Sequence, residues 1–127
     1  MIMTSFEPKN CSIPQLQRLL SSSVAPRPIA LASTISSGGQ PNLSPFSFFN
    51  LFSTNPPILI FSPARRVRDN STKHTLQNVR QVKEVVINVV SYDIIQQMSL
   101  SSTEYEKNIN EFKKAGLKML KSDLVKP

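Results

Sequence analysis

The sequence is poor in the residues that build the commonest catalytic and structural devices. One cysteine, Cys11, stands among 127 residues. That excludes an internal disulfide framework and a cysteine-rich metal site, and it suits a reducing compartment. One histidine, His74, is too few for a zinc or iron centre, which needs several His or Cys ligands. No serine lies in anything resembling a nucleophile elbow, so a Ser-His-Asp arrangement has neither its turn nor its company. With three glycines there is no GxGxxG and no P-loop. No apolar run is long enough for a bilayer, and MIMTSFEPKN lacks the apolar core of a secretory signal. These absences point to a cytoplasmic protein with no membrane partner. Repeats, low-complexity tracts and linkers are missing too, so residues 1–127 read as a single domain.

Ten prolines and a net charge of +7 are what the chain does have. Proline on this scale favours turns and strand edges over long helices. A basic chain raises nucleic acid as a partner, but the charge is dispersed. Six lysines from Lys107 to Lys126 are spread among Glu104, Glu106, Glu111 and Asp123, as on a solvated surface. A tighter cluster, RRVRDNSTKHT at residues 65–75, holds Arg65, Arg66, Arg68 and Lys73. It suits one phosphate-bearing small molecule as well as a polymer, and no nucleic-acid motif accompanies it.

Hydrophobic spacing predicts a helix over residues 13–22, with Leu16, Leu19 and Leu20 on one face. Pro26 and Pro28 enforce extended backbone before a strand over 29–36. SGGQ, 37–40, supplies a hairpin turn in which Gly38 and Gly39 can take positive φ, and NLSPFSFFNLF, 42–52, follows as its antiparallel partner. Asn55-Pro56-Pro57 stops that strand. Residues 58–62 and 85–90 are apolar enough for strands buried on both faces. Between them Leu76, Val79 and Val82 have helical spacing, with Thr75 as N-cap. Asp93 caps a short helix reaching Met98, and a polar helix or loop ends near Gly116. The order of strands and helices suggests an antiparallel barrel decorated by helices.

The segment NLSPFSFFN is where chemistry can be read. Its bland reading makes Phe46, Phe48, Phe49 and Phe52 core residues, with Ser44 and Ser47 on the wet face. In its functional reading Pro45 breaks the hydrogen-bond ladder and leaves backbone groups free, while one of the adjacent rings Phe48 and Phe49 lines a cleft. A flat heteroaromatic with imide edges wants that combination of amides, hydroxyls and apolar wall. The basic loop is either a solvated surface or a phosphate pocket. Lys73 and Thr75 lie at a predicted helix start, where free N–H groups favour an anion, and Ser62 ends the strand before the loop. His74 reads as structural, able to add a hydrogen bond to that phosphate.

SSVAPRPIALASTIS, NLSPFSFFNLFSTNPPILIFS, the loop up to KHT, and VVINVV together resemble the flavin reductase-like, FMN-binding split-barrel family, near its flavoredoxin branch. The similarity runs on through EFKKAGL. The resemblance implies a mainly β fold with helices, a split β-barrel that binds FMN non-covalently, usually as a homodimer. It implies an oxidoreductase taking hydride from NADH or NADPH. On that analogy Ser44, Ser47, Phe48 and Asn50 meet the isoalloxazine ring, with Ser33 and Thr34 nearby on the neighbouring strand. Ser62, Arg65, Lys73 and Thr75 hold the phosphate. Two departures stand out. Relatives commonly read Lys-Asp-Thr at Lys73-His74-Thr75, and they continue into further strands after LVKP, so the family's C-terminal strands are missing here. The alternatives are a non-enzymatic FMN-binding electron carrier, an inactive remnant, and a basic nucleic-acid-binding module.

Overall fold

The computed structural model describes residues 4–127. Helix α1 (Ile13–Ser23) opens with Ser12, whose backbone N–H donates to Gln15 Oε1 at 2.8 Å, and carries Pro14 in its first turn, where no partner for an N–H is needed. Strands β1 (Ala30–Ile35) and β2 (Pro41–Phe46) pair antiparallel around the glycine turn. Gly39 alone takes positive φ there, at 82°. Beyond β2 the sequence expectation fails in an informative way. Residues 42–52 are not one strand: Ser47 and Phe48 form a bend, and β3 (Phe49–Thr54) leaves to pair with β4 (Pro57–Phe61) in a second sheet. The Phe48 carbonyl accepts the Ser62 N–H at 2.9 Å, which holds the bend against the end of β4.

The larger sheet has the order β2-β1-β5, with β5 at Val86–Val89. Side chains alternate across it. Ala30, Ala32 and Thr34, with Asn42, Ser44 and Phe46 opposite them, form the face that meets helix α2 (His74–Val82). Ala30 and Ala32 are completely buried, and their small side chains let the helix come close. The two most buried residues of α2 are polar, Thr75 and Asn78, whereas Leu76, Val79 and Val82 are half-buried. Lys73, not Thr75, is the N-cap residue: its carbonyl accepts the N–H groups of Leu76 and Gln77. Helix α3 (Ile95–Ser101) follows a short 3-10 turn containing Asp93, and α4 (Glu111–Ala115) ends at Gly116 with φ 70°. Both pack on β2.

Strand β2 is an edge, as a proline at its centre requires. Its Leu43 N–H points outward and donates to Glu111 Oε2 at 3.3 Å. By the antiparallel alternation Pro41 and Pro45 occupy the other outward positions, so this edge has no free donor to offer another strand.

Burial differs from expectation in β4 and β5. Ile58, Leu59, Ile60 and Val89 are all exposed, because among the described residues no layer covers the β3–β4 ribbon and β5 is the second edge of its sheet. The opposite face of the larger sheet, with Leu31, Ser33, Leu43, Val86 and Asn88, floors a groove of about 740 Å3 whose walls include Phe112 and Leu117.

The two sheets are joined by Phe46, which is buried and packs on Phe61 with ring centroids 5.2 Å apart. Phe46→Ala is expected to cost about 3–5 kcal/mol, read as a lowered urea midpoint.

Candidate functional site

A cavity of about 40 Å3 lies where the start of α2 faces β2, and its lining includes Ser44, Arg66, Lys73, His74, Thr75 and Glu111, together with the stretch Ser101–Tyr105. That space holds roughly three water-sized groups, the number of terminal oxygens on a phosphate monoester. Each wall has a structural reason. Ser44 shares the α2-facing side of its strand with Asn42. Lys73 sits at the N-cap, and its ammonium lies 5.1 Å from the centre of the Phe46 ring, a cation–π contact that holds the charge at the cavity. Arg66 is pinned by hydrogen bonds from Nη1 to the Thr72 carbonyl (2.6 Å) and Ser71 Oγ (3.1 Å), and its Nε lies 3.4 Å from Glu104.

Donors collect here. The backbone N–H groups of His74 and Thr75 open the helix and find no acceptor among the described residues. The Thr75 side chain, 1% exposed, accepts from Asn42 Nδ2 at 3.0 Å, and its own hydroxyl proton has no acceptor among the described residues. Burial holds the Lys73 pKa below its ordinary value, with nearby Arg66 adding to the effect and Glu104 opposing it. Burial likewise lowers His74, helped by Arg66 and Lys107, so at neutral pH this imidazole is a neutral hydrogen-bonding group. A buried set of donors around one cation is the chemistry a phosphate monoester needs.

The sequence-derived site residues divide into three groups. Ser44, Lys73 and Thr75 come together at the cavity. Ser47 and Phe48 occupy the bend beyond it; the Phe48 ring is 41% exposed, with the Arg27 guanidinium 5.9 Å from its centre. Ser62 meets that bend through its backbone bond to Phe48. The others lie elsewhere. Ser33 lines the groove on the far face of the sheet, because neighbours on a strand face opposite ways. Thr34 is buried under α2, and its hydroxyl accepts from Asn42 and Asn78. Asn50 is exposed on β3 and accepts the Leu51 N–H. Arg65 folds back onto its own loop, donating to the Asn70 carbonyl at 2.7 Å.

Sequence reasoning placed both arginines in the basic cluster but chose Arg65 for the phosphate, whereas Arg66 is the one that lines the cavity, and it did not reach the wall from Ser101 to Tyr105. Glu111 was also missed. Its carboxylate is buried, and desolvation raises its pKa against the lowering effect of its backbone hydrogen bonds.

The fold and this pocket define a β-sheet protein with a small donor-lined cavity at a helix start. Comparison makes the class definite. Residues 22–127 match the family described as flavin reductase like domain. The chain belongs to that family. It is 43% identical over 111 residues to an uncharacterised protein of Aquifex aeolicus, covering 87% of this chain and 56% of that relative. Nitrilotriacetate monooxygenase component B from Bacillus cereus superposes with a TM-score of 0.91 at 25% identity, over 98% of this chain and 61% of that one. A Shewanella frigidimarina chain with a split barrel domain superposes at 0.77 with 24% identity, over 98% and 61%. The architecture is thus that of the flavin reductase split barrels, and the chain spans little more than half the length of these relatives.

Glu111 supplies a prediction. A carboxyl whose pKa is higher in the folded than in the unfolded protein contributes stability below the ordinary carboxylate range. That contribution is lost as pH rises through the folded pKa. Glu111→Gln keeps an oxygen for the Leu43 N–H and removes the ionisation. It should be more stable than wild type around neutral pH, with the difference vanishing below pH about 4, as followed by urea midpoints across pH.

Proposed function

We propose that this chain is the FMN-binding part of a flavin reductase-type oxidoreductase that takes hydride from NADH or NADPH. The observation that carries the reading is the small donor-lined cavity at the start of α2, in a chain of this family. The flavin, when bound, supplies the two-electron chemistry, which is why no side-chain acid or base need be sought. The protein's own groups bind and orient. The N–H groups of His74 and Thr75, the Thr75 hydroxyl and Lys73 take the phosphate, with Arg66 rather than Arg65 completing the positive wall. Ser44 lines the cavity and Ser47 and Phe48 form the bend beyond it, against which an isoalloxazine would lie with polar edges on backbone and hydroxyls. Lysine, arginine and helix-end donors read the phosphate, so FMN is favoured over riboflavin.

Titration with FMN and with riboflavin separates the roles. Lys73→Ala and Arg66→Ala should each weaken FMN about tenfold or more, in keeping with the loss of a charge-assisted hydrogen bond, and leave riboflavin nearly unchanged. Arg65→Ala should alter neither. Equal losses for both ligands would remove the phosphate from this pocket. Anaerobic mixing of the FMN-loaded protein with NADH or NADPH then tests the activity: bleaching of the flavin band supports a reductase, and a band that stays oxidised leaves an electron carrier.

The proposed partner is a second copy of the chain. Leu51, Phe52, Ile58, Leu59 and Ile60 are all exposed on the β3–β4 ribbon, Phe52 by 65%. Leu51 and Leu59 are cross-strand partners on one face of the ribbon, with Ile58 and Ile60 on the other; exposed apolar surface of this kind marks an interaction site, and the ribbon adjoins the bend at Ser47 and Phe48. Leu59→Glu is expected to move the protein from dimer to monomer in light scattering, and an unchanged mass would place the interface elsewhere.

A further inference from the structure

A short polar chain runs beneath the pocket without lining it throughout. Asn78 Nδ2 donates to Thr34 Oγ1 at 3.1 Å, and Asn42 Nδ2 donates both to Thr34 Oγ1 at 3.3 Å and to Thr75 Oγ1 at 3.0 Å. All four side chains are at least nine-tenths buried: Thr34 and Thr75 are 1% exposed, Asn78 4% and Asn42 7%. Asn42 and Thr75 reach the cavity, whereas Thr34 and Asn78 do not.

The direction of these bonds matters more than their number. A hydroxyl carries one proton and two lone pairs. Thr34 Oγ1 accepts from both amides, so its lone pairs are filled and it holds the Asn42 amide in one orientation. Asn42 then spends its second N–H on Thr75, filling one lone pair there. The Thr75 proton is left over, in a buried side chain that lines an anion-sized space. Were the Asn42 amide reversed, its oxygen would draw the Thr75 proton inward and present oxygen lone pairs to the ligand. A phosphate would be repelled by that arrangement.

We infer that Asn78 and Thr34 are positioning residues for anion recognition: through Asn42 they fix the Thr75 hydroxyl as a hydrogen-bond donor to the phosphate. This rests on the phosphate reading of the pocket given above. It gives Thr34 a role one residue removed from the ligand. It also brings in Asn78, which lies a full helical turn along α2 from the site.

A double-mutant cycle on FMN and riboflavin affinity, followed by calorimetry, tests it. Thr75→Val keeps the shape and removes the hydroxyl; it should weaken FMN about tenfold, the scale of one hydrogen bond to a charged group. Asn78→Leu alone should weaken FMN severalfold. In the Thr75→Val background it should do nothing further, since its effect passes through a hydroxyl no longer present. Riboflavin affinity should stay within about twofold throughout, the size of ordinary non-additivity. Thr34→Val takes the place of Asn78→Leu in the same cycle if the latter does not fold. Additive losses, or riboflavin weakened alongside FMN, would reduce Asn78 to a structural residue and overturn the inference alone. A wild-type protein that ignores FMN would overturn the phosphate reading and this inference with it.

Discussion

The arrangement of this molecule depends on the polar seam where α2 lies against the β2-β1-β5 sheet. A helix held only by apolar contacts can slide by a turn at little cost, because hydrophobic attraction has no direction. Here Asn78 and Asn42 meet Thr34, and Asn42 meets Thr75, so only one register satisfies all four. Each such bond adds on the order of 1 kcal/mol, but leaving one buried donor unmet costs up to about 3. The seam therefore stabilises modestly and specifies strongly. Complete burial of Ala30 and Ala32 beneath it lets helix and sheet approach closely enough for these bonds to form. The first turn of α2 is fixed against Ser44 as a result, and the cavity exists because that turn cannot move.

A second constraint comes from unpaired backbone. Strand β2 has its outward donors removed at Pro41 and Pro45 and satisfied at Leu43 by Glu111. The same carboxylate that closes the edge also lines the cavity at the start of α2. Its raised pKa is the cost of burying that acid away from water. The β3–β4 ribbon is the opposite case, with apolar side chains exposed on Leu51, Phe52, Ile58, Leu59 and Ile60. One strand edge is closed, while the ribbon leaves its apolar side chains exposed.

Much of the fold was legible where the chain carries punctuation. The glycine turn before β2, the Asn55-Pro56-Pro57 stop and the Gly116 helix end all fell where local backbone chemistry puts them. The family was legible too, from PRPIA and PFSFFN. What failed had no local signal. The alternation of residues 42–52 slips at Pro45-Phe46 and at Phe48-Phe49, but nothing local says that the strand changes sheets at Ser47, where a distant backbone N–H, that of Ser62, holds the bend. The apolar residues 58–62 cannot announce from sequence whether they are buried in a core or exposed on a ribbon. Arg65 and Arg66 are chemically identical neighbours, and only the fold of the loop sends one to Asn70 and the other to the cavity. The threonine and asparagine seam lacks any periodic signature, and Thr75, standing just before the helical spacing of Leu76, Val79 and Val82, was read as a cap where the structure has Lys73.

The net charge of +7 gains a different meaning once the loop is folded. Within the basic cluster, Arg65 donates to a carbonyl of its own loop, and Arg68 lies near Asp69 and Glu104. Arg66 shares Glu104 and is tied to Ser71 and Thr72. Among the described residues Lys73 has no carboxylate at ion-pair distance, and burial already weakens its hold on its proton. A polyanion needs a stripe of free cations along its backbone, whereas this loop has satisfied most of its own. What it leaves is one uncompensated ammonium above an aromatic ring, beside free N–H groups in a space of about 40 Å3. Such a site rewards a single compact phosphate, and a polymer backbone would gain no more than its first contact.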